Sequence, residues 1–167
     1  SQPVTWRKVM PSMLYDVAVS PDGETLAVGA LDHSIYLVNR HTAESRSLRD
    51  ASDQVMGLTY SPDGTRLAAC DMGGSVYSRD LSNDQVIRAS VHKGACWKLS
   101  YSRDGRSLAT ASFDGSVAVL DAATLTERAR IDGLGPVLRS SFSPDGSVVI
   151  VGTKSGVLRE HDASTGT

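Results

Sequence analysis

Six side chains have the types that ligate metals or attack electrophiles: His33, His41, His92, His161, Cys70 and Cys96. A zinc centre needs three or four such ligands brought to one point. The histidines do not cluster in the sequence, and two cysteines are too few for a disulfide framework or a zinc site. Structural or surface histidines and free buried thiols are therefore expected. Gly152-Thr-Lys-Ser-Gly156 has some of the residues of a phosphate loop. It lacks the first glycine at the right distance and falls between two strand-like runs, so it reads as a turn. Neither a Gly-x-Ser-x-Gly elbow nor a His-Glu-x-x-His zinc motif is present. The sequence thus predicts a protein that is not an enzyme, with no cofactor, no metal and no catalytic residues.

The composition narrows the partners. The chain has 167 residues, 40% hydrophobic and 22% charged, as a soluble domain of this length does. Its 17 basic and 19 acidic residues give a formal charge of −2, which favours neither nucleic acid nor an anionic membrane. No apolar run approaches the roughly 18 residues of a membrane span. The first residues have no apolar signal core, and cysteines are sparse, so a cytoplasmic setting is expected.

What must position any site is a repeat. Ser-Pro-Asp-Gly starts at Ser20, Ser61 and Ser143, and Ser-Arg-Asp-Gly at Ser102, each step being 41 residues. Leu26, Leu67, Leu108 and Val149 keep the same step, as do Ile35, Val76, Val117 and Leu158. Asn39, Asp80, Asp121 and Asp162 form a further column. Each unit reads as four short strands between turns. In the third unit the predicted strands are Cys96–Tyr101, Ser107–Ser112, Ser116–Leu120 and Thr126–Ile131, with Asp114-Gly115 as a tight hairpin turn. Along the first strands, Val17/Val19, Leu58/Tyr60, Leu99/Tyr101 and Ser140/Phe142 share a face, and the small residues Ala18, Thr59, Ser100 and Ser141 alternate with them. That alternation suits the innermost strand of a propeller blade. Cys70 and Cys96 are expected on inner strands of neighbouring units.

These features resemble the WD-repeat family over nearly the whole chain. The likeness rests on Ser-Pro-Asp-Gly, on Ala-Thr-Ala-Ser-Phe-Asp-Gly-Ser-Val (residues 109–117) and on the Asn/Asp column. Residues 26–36 are also similar to blades of echinoderm microtubule-associated-protein-like proteins. The Trp that the family places before the closing Asp is here Val38, Arg79, Leu120 and His161, and its early His is present as His92 alone. The usual Trp–Ser–His–Asp network is therefore not expected. The resemblance implies an all-β propeller of four-stranded antiparallel blades in a ring of seven or eight. The expected blades are about 10–50, 51–91, 92–132 and 133–167, within one unit spanning 1–167. Strand 4–9, with Val4, Trp6 and Val9, is expected to supply the fourth strand of the last blade. Three closures follow: one chain as a four-blade ring, two chains exchanging strands in an eight-blade ring, or a stretch of a longer propeller.

The resemblance also implies that a protein or peptide partner docks around the channel mouth. The residues at the start of each inner strand are Tyr15, Met56, Trp97 and Leu138. Those before the hairpin turn are Leu31, Met72, Phe113 and Lys154, and Met13 begins a third column with Gln54, Ala95 and Pro136. Seven of the first eight are apolar or aromatic, the types that anchor interfaces. The next column, Asp16, Gly57, Lys98 and Arg139, is expected on the channel wall, and Lys98, Arg139 and Arg103 are weighed as an anion site. The expected function is a non-catalytic interaction scaffold that self-associates. A structural subunit using its rim, or a binder using its channel, is the alternative.

Overall fold

A computed structural model describes residues 7–167. The described residues form fifteen strands in four antiparallel sheets, each strand pairing with its neighbour in sequence. The first sheet comprises β1 (Leu14–Val19), β2 (Thr25–Ala30), β3 (Ile35–Asn39) and β4 (Ser45–Leu48). The second has β5 (Val55–Tyr60), β6 (Arg66–Asp71), β7 (Ser75–Asp80) and β8 (Val86–Ser90). The third has β9 (Cys96–Tyr101), β10 (Ser107–Ser112), β11 (Val117–Asp121) and β12 (Glu127–Ile131). The fourth has β13 (Val137–Phe142), β14 (Val148–Thr153) and β15 (Leu158–Asp162), and no fourth strand among the described residues. The first strands lie side by side: β1 packs on β5, β5 on β9, and β9 on β13. Cys96 is on such an inner strand, but Cys70 is on β6, the second strand of its sheet.

The repeated turn explains its own sequence. Gly23 adopts φ +77° and donates its N–H to Ser20 O at 2.8 Å. The Ser20 hydroxyl accepts from Thr25 N at 2.9 Å, and the Asp22 carboxylate from Glu24 N at 3.0 Å. Hydrogen bonds from the turn serine and the following backbone hold Asp22, Asp63, Asp104 and Asp145 below the ordinary carboxylate range. The Asn/Asp column caps the next turn in the same way. Asn39 Oδ1 accepts from His41 N and Thr42 N, and Asp121 Oδ1 from Ala123 N and Thr124 N.

Packing repeats with the turns. Ala27, Ile35, Leu37 and Leu48 of the first sheet meet Val55, Leu58, Tyr60 and Leu67 of the second. Ala68, Cys70 and Val76 meet Cys96, Leu99 and Leu108 one unit on, and Ala109, Val117 and Val119 meet Val137, Val149 and Val151 after that. Small and large residues face each other across every joint, which is how close packing is reached between twisted sheets. The fit leaves no room at Gly29, where a Cβ would lie 2.7 Å from Val55 Cγ1.

The Trp column is replaced differently in each sheet. Val38 and Leu120 are simply buried. Arg79 instead makes a bidentate pair with Asp50 of the preceding unit, Nε to Oδ2 at 2.7 Å and Nη2 to Oδ1 at 2.5 Å. Without its Trp the usual four-member network is not made, but in the third sheet its remaining members come together. His92 bonds Ser116 Oγ through Nδ1 at 2.9 Å and Thr110 Oγ1 through Nε2 at 2.8 Å, with Asp114 beside it. Tyrosines do related work elsewhere: Tyr36 donates to Asp32 at 2.6 Å, and Tyr77 to buried Asp71 at 2.5 Å.

Val4 and Trp6 lie outside the described residues. Residues 7–10 are not in a strand, and Val9 is 74% exposed, so its expected pairing with the last sheet is not made within this chain. Met10 lies instead against Val28, Ala30, Tyr36 and Val38 on the outer face of the first sheet.

Candidate protein-docking face

Every inner strand carries one irregularity at the same point. The β1–β2 register breaks between Leu14 and Asp16, β5–β6 between Val55 and Gly57, β9–β10 between Cys96 and Lys98, and β13–β14 between Val137 and Arg139. The residues left unpaired by these bulges are Tyr15, Met56, Trp97 and Leu138. A bulge re-aims a side chain that a regular pleat would turn into a sheet face.

Backbone bonds then fix the other two columns beside the bulges. Leu31 N donates to Met13 O, Met72 N to Gln54 O and Phe113 N to Ala95 O, each at 2.9 Å; Lys154 N donates to Pro136 O at 2.8 Å. One end of the four sheets therefore gathers all three predicted columns. Met13 is 63% exposed, Leu31 38%, and Tyr15 and Met72 37%. Lys154 is exposed, while Phe113 and Leu138 are half-buried. The Trp97 and Phe113 rings stand 5.1 Å apart at 42°, and Lys154 Nζ lies 5.5 Å from the Phe113 centroid. Tyr15 donates to Gln54 Oε1 at 3.3 Å, bridging the first and second sheets.

Two members of the columns differ from expectation. Met56 is only 2% exposed and so is packed rather than presented. It sits on β5, which has β1 on one side and β9 on the other. Trp97 is half-buried, and its indole Nε1 is buried with no hydrogen-bond partner. Its ring supports Phe113 as much as it offers a surface.

The face rests on rigid supports. In the third sheet Lys93 N donates to Asp114 Oδ2 at 2.9 Å and the Ser112 hydroxyl to Gly94 O at 3.2 Å. These bonds and His92 tie residues 91–95 to the Asp114-Gly115 turn directly below Phe113. Burial by itself would raise the Asp114 carboxyl. Hydrogen bonds from the Ser116 hydroxyl and from the Lys93 and Ser116 backbone outweigh it and hold the group at about 2.

The expected channel column is an ion pair with a gap in it. Lys98 Nζ reaches Asp16 Oδ2 at 2.5 Å, and the same oxygen accepts from Leu58 N at 3.0 Å. The pair spans from the third sheet to the first, over Gly57. A Cβ at Gly57 would stand 2.8 Å from Trp97 O and 3.3 Å from Cys70 Sγ. Gly57 is thus what lets β5 and β9 approach. The anion site weighed from sequence is not assembled: Lys98 is engaged by Asp16, Arg139 donates to Leu138 O, and Arg103 lies in the turn at the far end of β9. The Asp16–Lys98 pairing, between residues 82 apart, had no sequence signal beyond their shared column.

Elsewhere, a groove of about 500 Å³ between the first two sheets is lined in part by Asp22, Glu44, Arg46 and Tyr60. Burial pushes the Tyr60 hydroxyl up to about 12. Among the described residues, no three His, Cys, Asp or Glu side chains converge as a metal site would require. Burial also drives the Cys70 thiol well above its ordinary value, and that thiol donates to Cys96 O at 3.0 Å.

Comparison with known proteins agrees with this architecture. No curated protein matches the chain. The family model described as WD domain, G-beta repeat matches residues 10–39, 43–80 and 84–121, which together make up more than half of the sequence. Each match ends on the turn-capping column, at Asn39, Asp80 and Asp121. With repeats, sheets and family model in one register, the chain belongs to the WD domain, G-beta repeat family, whose members are generally non-catalytic scaffolds for protein interaction.

Proposed function

We propose that this protein is a non-catalytic scaffold that binds a partner peptide or protein domain on the face built from the bulge columns. The observation that carries the docking reading is the exposure of Met13, Tyr15, Leu31 and Met72 along one edge of rigid sheets. Single exposed apolar residues are ordinary, but four of them gathered at one end of two adjoining sheets suit a recognition surface. Methionines adapt to varied partners, and the Trp97–Phe113 pair gives that surface a firm floor. The near-balanced charge suits a partner that is neither nucleic acid nor membrane.

The test is selection of peptides from a displayed library, followed by affinity measurement on variants. Leu31→Asp and Met72→Asp change exposed side chains and leave folding intact. Each is expected to weaken selected peptides about tenfold or more, and Trp97→Ala to weaken them further. Thr124→Asp, on the distant rim, is expected to change nothing. Peptides that tolerate the face variants but lose affinity on the rim variant would replace this reading with a rim-based assembly role.

A further inference from the structure

At the end away from the bulge columns, the joints between sheets open into grooves of equivalent make-up. Asp63, Arg66, Tyr101 and Ala122 line the groove at the second joint. One step of 41 residues back, Asp22, Thr25, Tyr60 and Leu81 line the first. The later joints carry their own cation on this column. At the second, Arg66 Nη1 donates to Ser78 Oγ at 3.3 Å, and Nη2 lies 3.8 Å from Asp80 Oδ2. At the third, Arg128 Nη1 donates to Ser107 Oγ at 3.1 Å and Nη2 pairs with Asp121. In the first groove Thr25 stands where Arg66 and Ser107 stand in the others. Arg46, the equivalent of Arg128, is turned instead to Asp84, 3.7 Å away.

What surrounds Thr25 still suits a cation. Both bonds that the Asp22 carboxylate accepts, from Ser20 Oγ and Glu24 N, fall on Oδ1, which leaves Oδ2 to accept another. Among the described residues neither Asp22 nor Glu44, the two carboxylates lining the groove, forms an ion pair. Tyr60 is 8% exposed, and its hydroxyl is buried without a hydrogen-bond partner. Burial and then the Asp22 carboxylate raise that hydroxyl, and Arg46 opposes them, which sets the oxygen beneath the groove that both side chains line. Leu37, Leu81 and the Tyr60 ring give the groove an apolar floor.

We propose that this groove receives an arginine side chain of a partner peptide, in the place that arginines of the chain itself take at the two later joints. Asp22 and Glu44 supply the opposite charge, and Asp22 Oδ2 and the Tyr60 hydroxyl each accept an N–H. A guanidinium serves several acceptors from one plane, which a lysine ammonium does not. Its methylene stem lies along Leu37, Leu81 and the Tyr60 ring. At about 500 Å³ the groove holds more than one side chain, which leaves room for the flanking peptide backbone. The site is independent of the docking face, because β1 and β5 run from the bulges at one end to this groove at the other.

Titration of the isotope-labelled chain with an end-blocked Gly-Gly-Arg-Gly-Gly peptide, followed by NMR, tests this. The expected result is a saturable shift of amides along the groove, Thr25, Gly64 and Leu81 among them. The same peptide with citrulline keeps the shape and loses the charge, and is expected to bind at least about tenfold more weakly. Glu44→Gln is expected to weaken the arginine peptide about threefold and Tyr60→Phe about fivefold. Thr25→Arg rebuilds the second joint within the first. It is expected to abolish binding while leaving the circular dichroism spectrum unchanged. No saturable shift in the groove, equal affinity for the citrulline peptide, or undiminished binding to Thr25→Arg overturns the proposal. Shifts confined to Met13, Leu31 and Met72 assign the peptide to the docking face and overturn it too. Binding that appears only in Arg46→Ala makes Arg46 the natural occupant and does the same.

Discussion

The third and fourth sheets share their repeat columns and differ in their neighbours. The third has a sheet on each side, four strands, and the His92–Thr110–Ser116–Asp114 network at one end. The fourth has three strands among the described residues and a bare face, and it lies outside the segments that match the family. Val117 and Leu158 occupy one column, yet one is 0% and the other 74% exposed. The difference shows that burial in a repeat protein belongs to the joint between units and not to the unit. Stability is then a sum of unit and neighbour contributions, weakest where a neighbour is missing.

That contrast makes the largest expected effect a column comparison. Val117→Ala removes buried methyls and is expected to cost about 2–3 kcal/mol, read from urea midpoints. Leu158→Ala removes more carbon. At dilutions where the chain is a single copy, it is nevertheless expected to cost under about 0.5 kcal/mol. Equal costs at high dilution would break the comparison. A cost at Leu158 that grows with protein concentration would sharpen it, because the missing neighbour would then be another chain.

The next effect separates the two hairpin turns. Asp114 of the third sheet corresponds to Ser155 of the fourth, which bonds only locally to Thr153 at 2.9 Å. Asp114→Asn is expected to cost about 2 kcal/mol at neutral pH, as bonds to a charged acceptor are replaced by weaker ones. The pH dependence has a definite sign. The folded carboxyl sits at about 2 against an ordinary 3.8, so its contribution is full above 3.8 and fades as pH falls towards 2. Urea midpoints at pH 7 and pH 3 should therefore differ less in Asp114→Asn than in wild type. Some acid sensitivity remains in the variant, carried by turn carboxylates such as Asp145 and Asp162. Ser155→Ala should leave the pH profile unchanged.

What the sequence made legible is what repeats. The period located all four inner strands, and Cys96–Tyr101 and Ser107–Ser112 are the observed bounds of β9 and β10. The family resemblance supplied the column Tyr15, Met56, Trp97 and Leu138, but the bulge that re-aims each of them left no mark in the spacing. What stayed hidden depends on single substitutions between columns. Tyr36 and Tyr77 are one step apart, but the carboxylates that they bond, Asp32 and Asp71, are not. Arg79 finds Asp50, 29 residues away in the preceding unit, where a tryptophan was missing from the pattern. Met56 looks like its neighbours in the column and is nevertheless buried, because exposure follows the flanking strands and not the residue type.

The smallest expected effect is a gain, and it lies in the same replaced column. Leu120 of the third sheet is 1% exposed, whereas its equivalent His161 in the fourth keeps both ring nitrogens buried without a hydrogen-bond partner. A buried polar atom left unpaired loses its water and regains nothing. His161→Leu gives the fourth sheet what the third already has. It removes that loss and adds apolar contact beside Val149, its partner in the β14–β15 ladder. The expected gain is about 1 kcal/mol, a rise of roughly 2–4 °C in the thermal midpoint. The matching change Leu120→His should be far more harmful, since it places an imidazole among the buried side chains of Leu99, Leu108 and Ala118. If His161→Leu lowers the midpoint instead, His161 makes a polar contact in solution, and the fourth sheet is less poorly built than its column suggests.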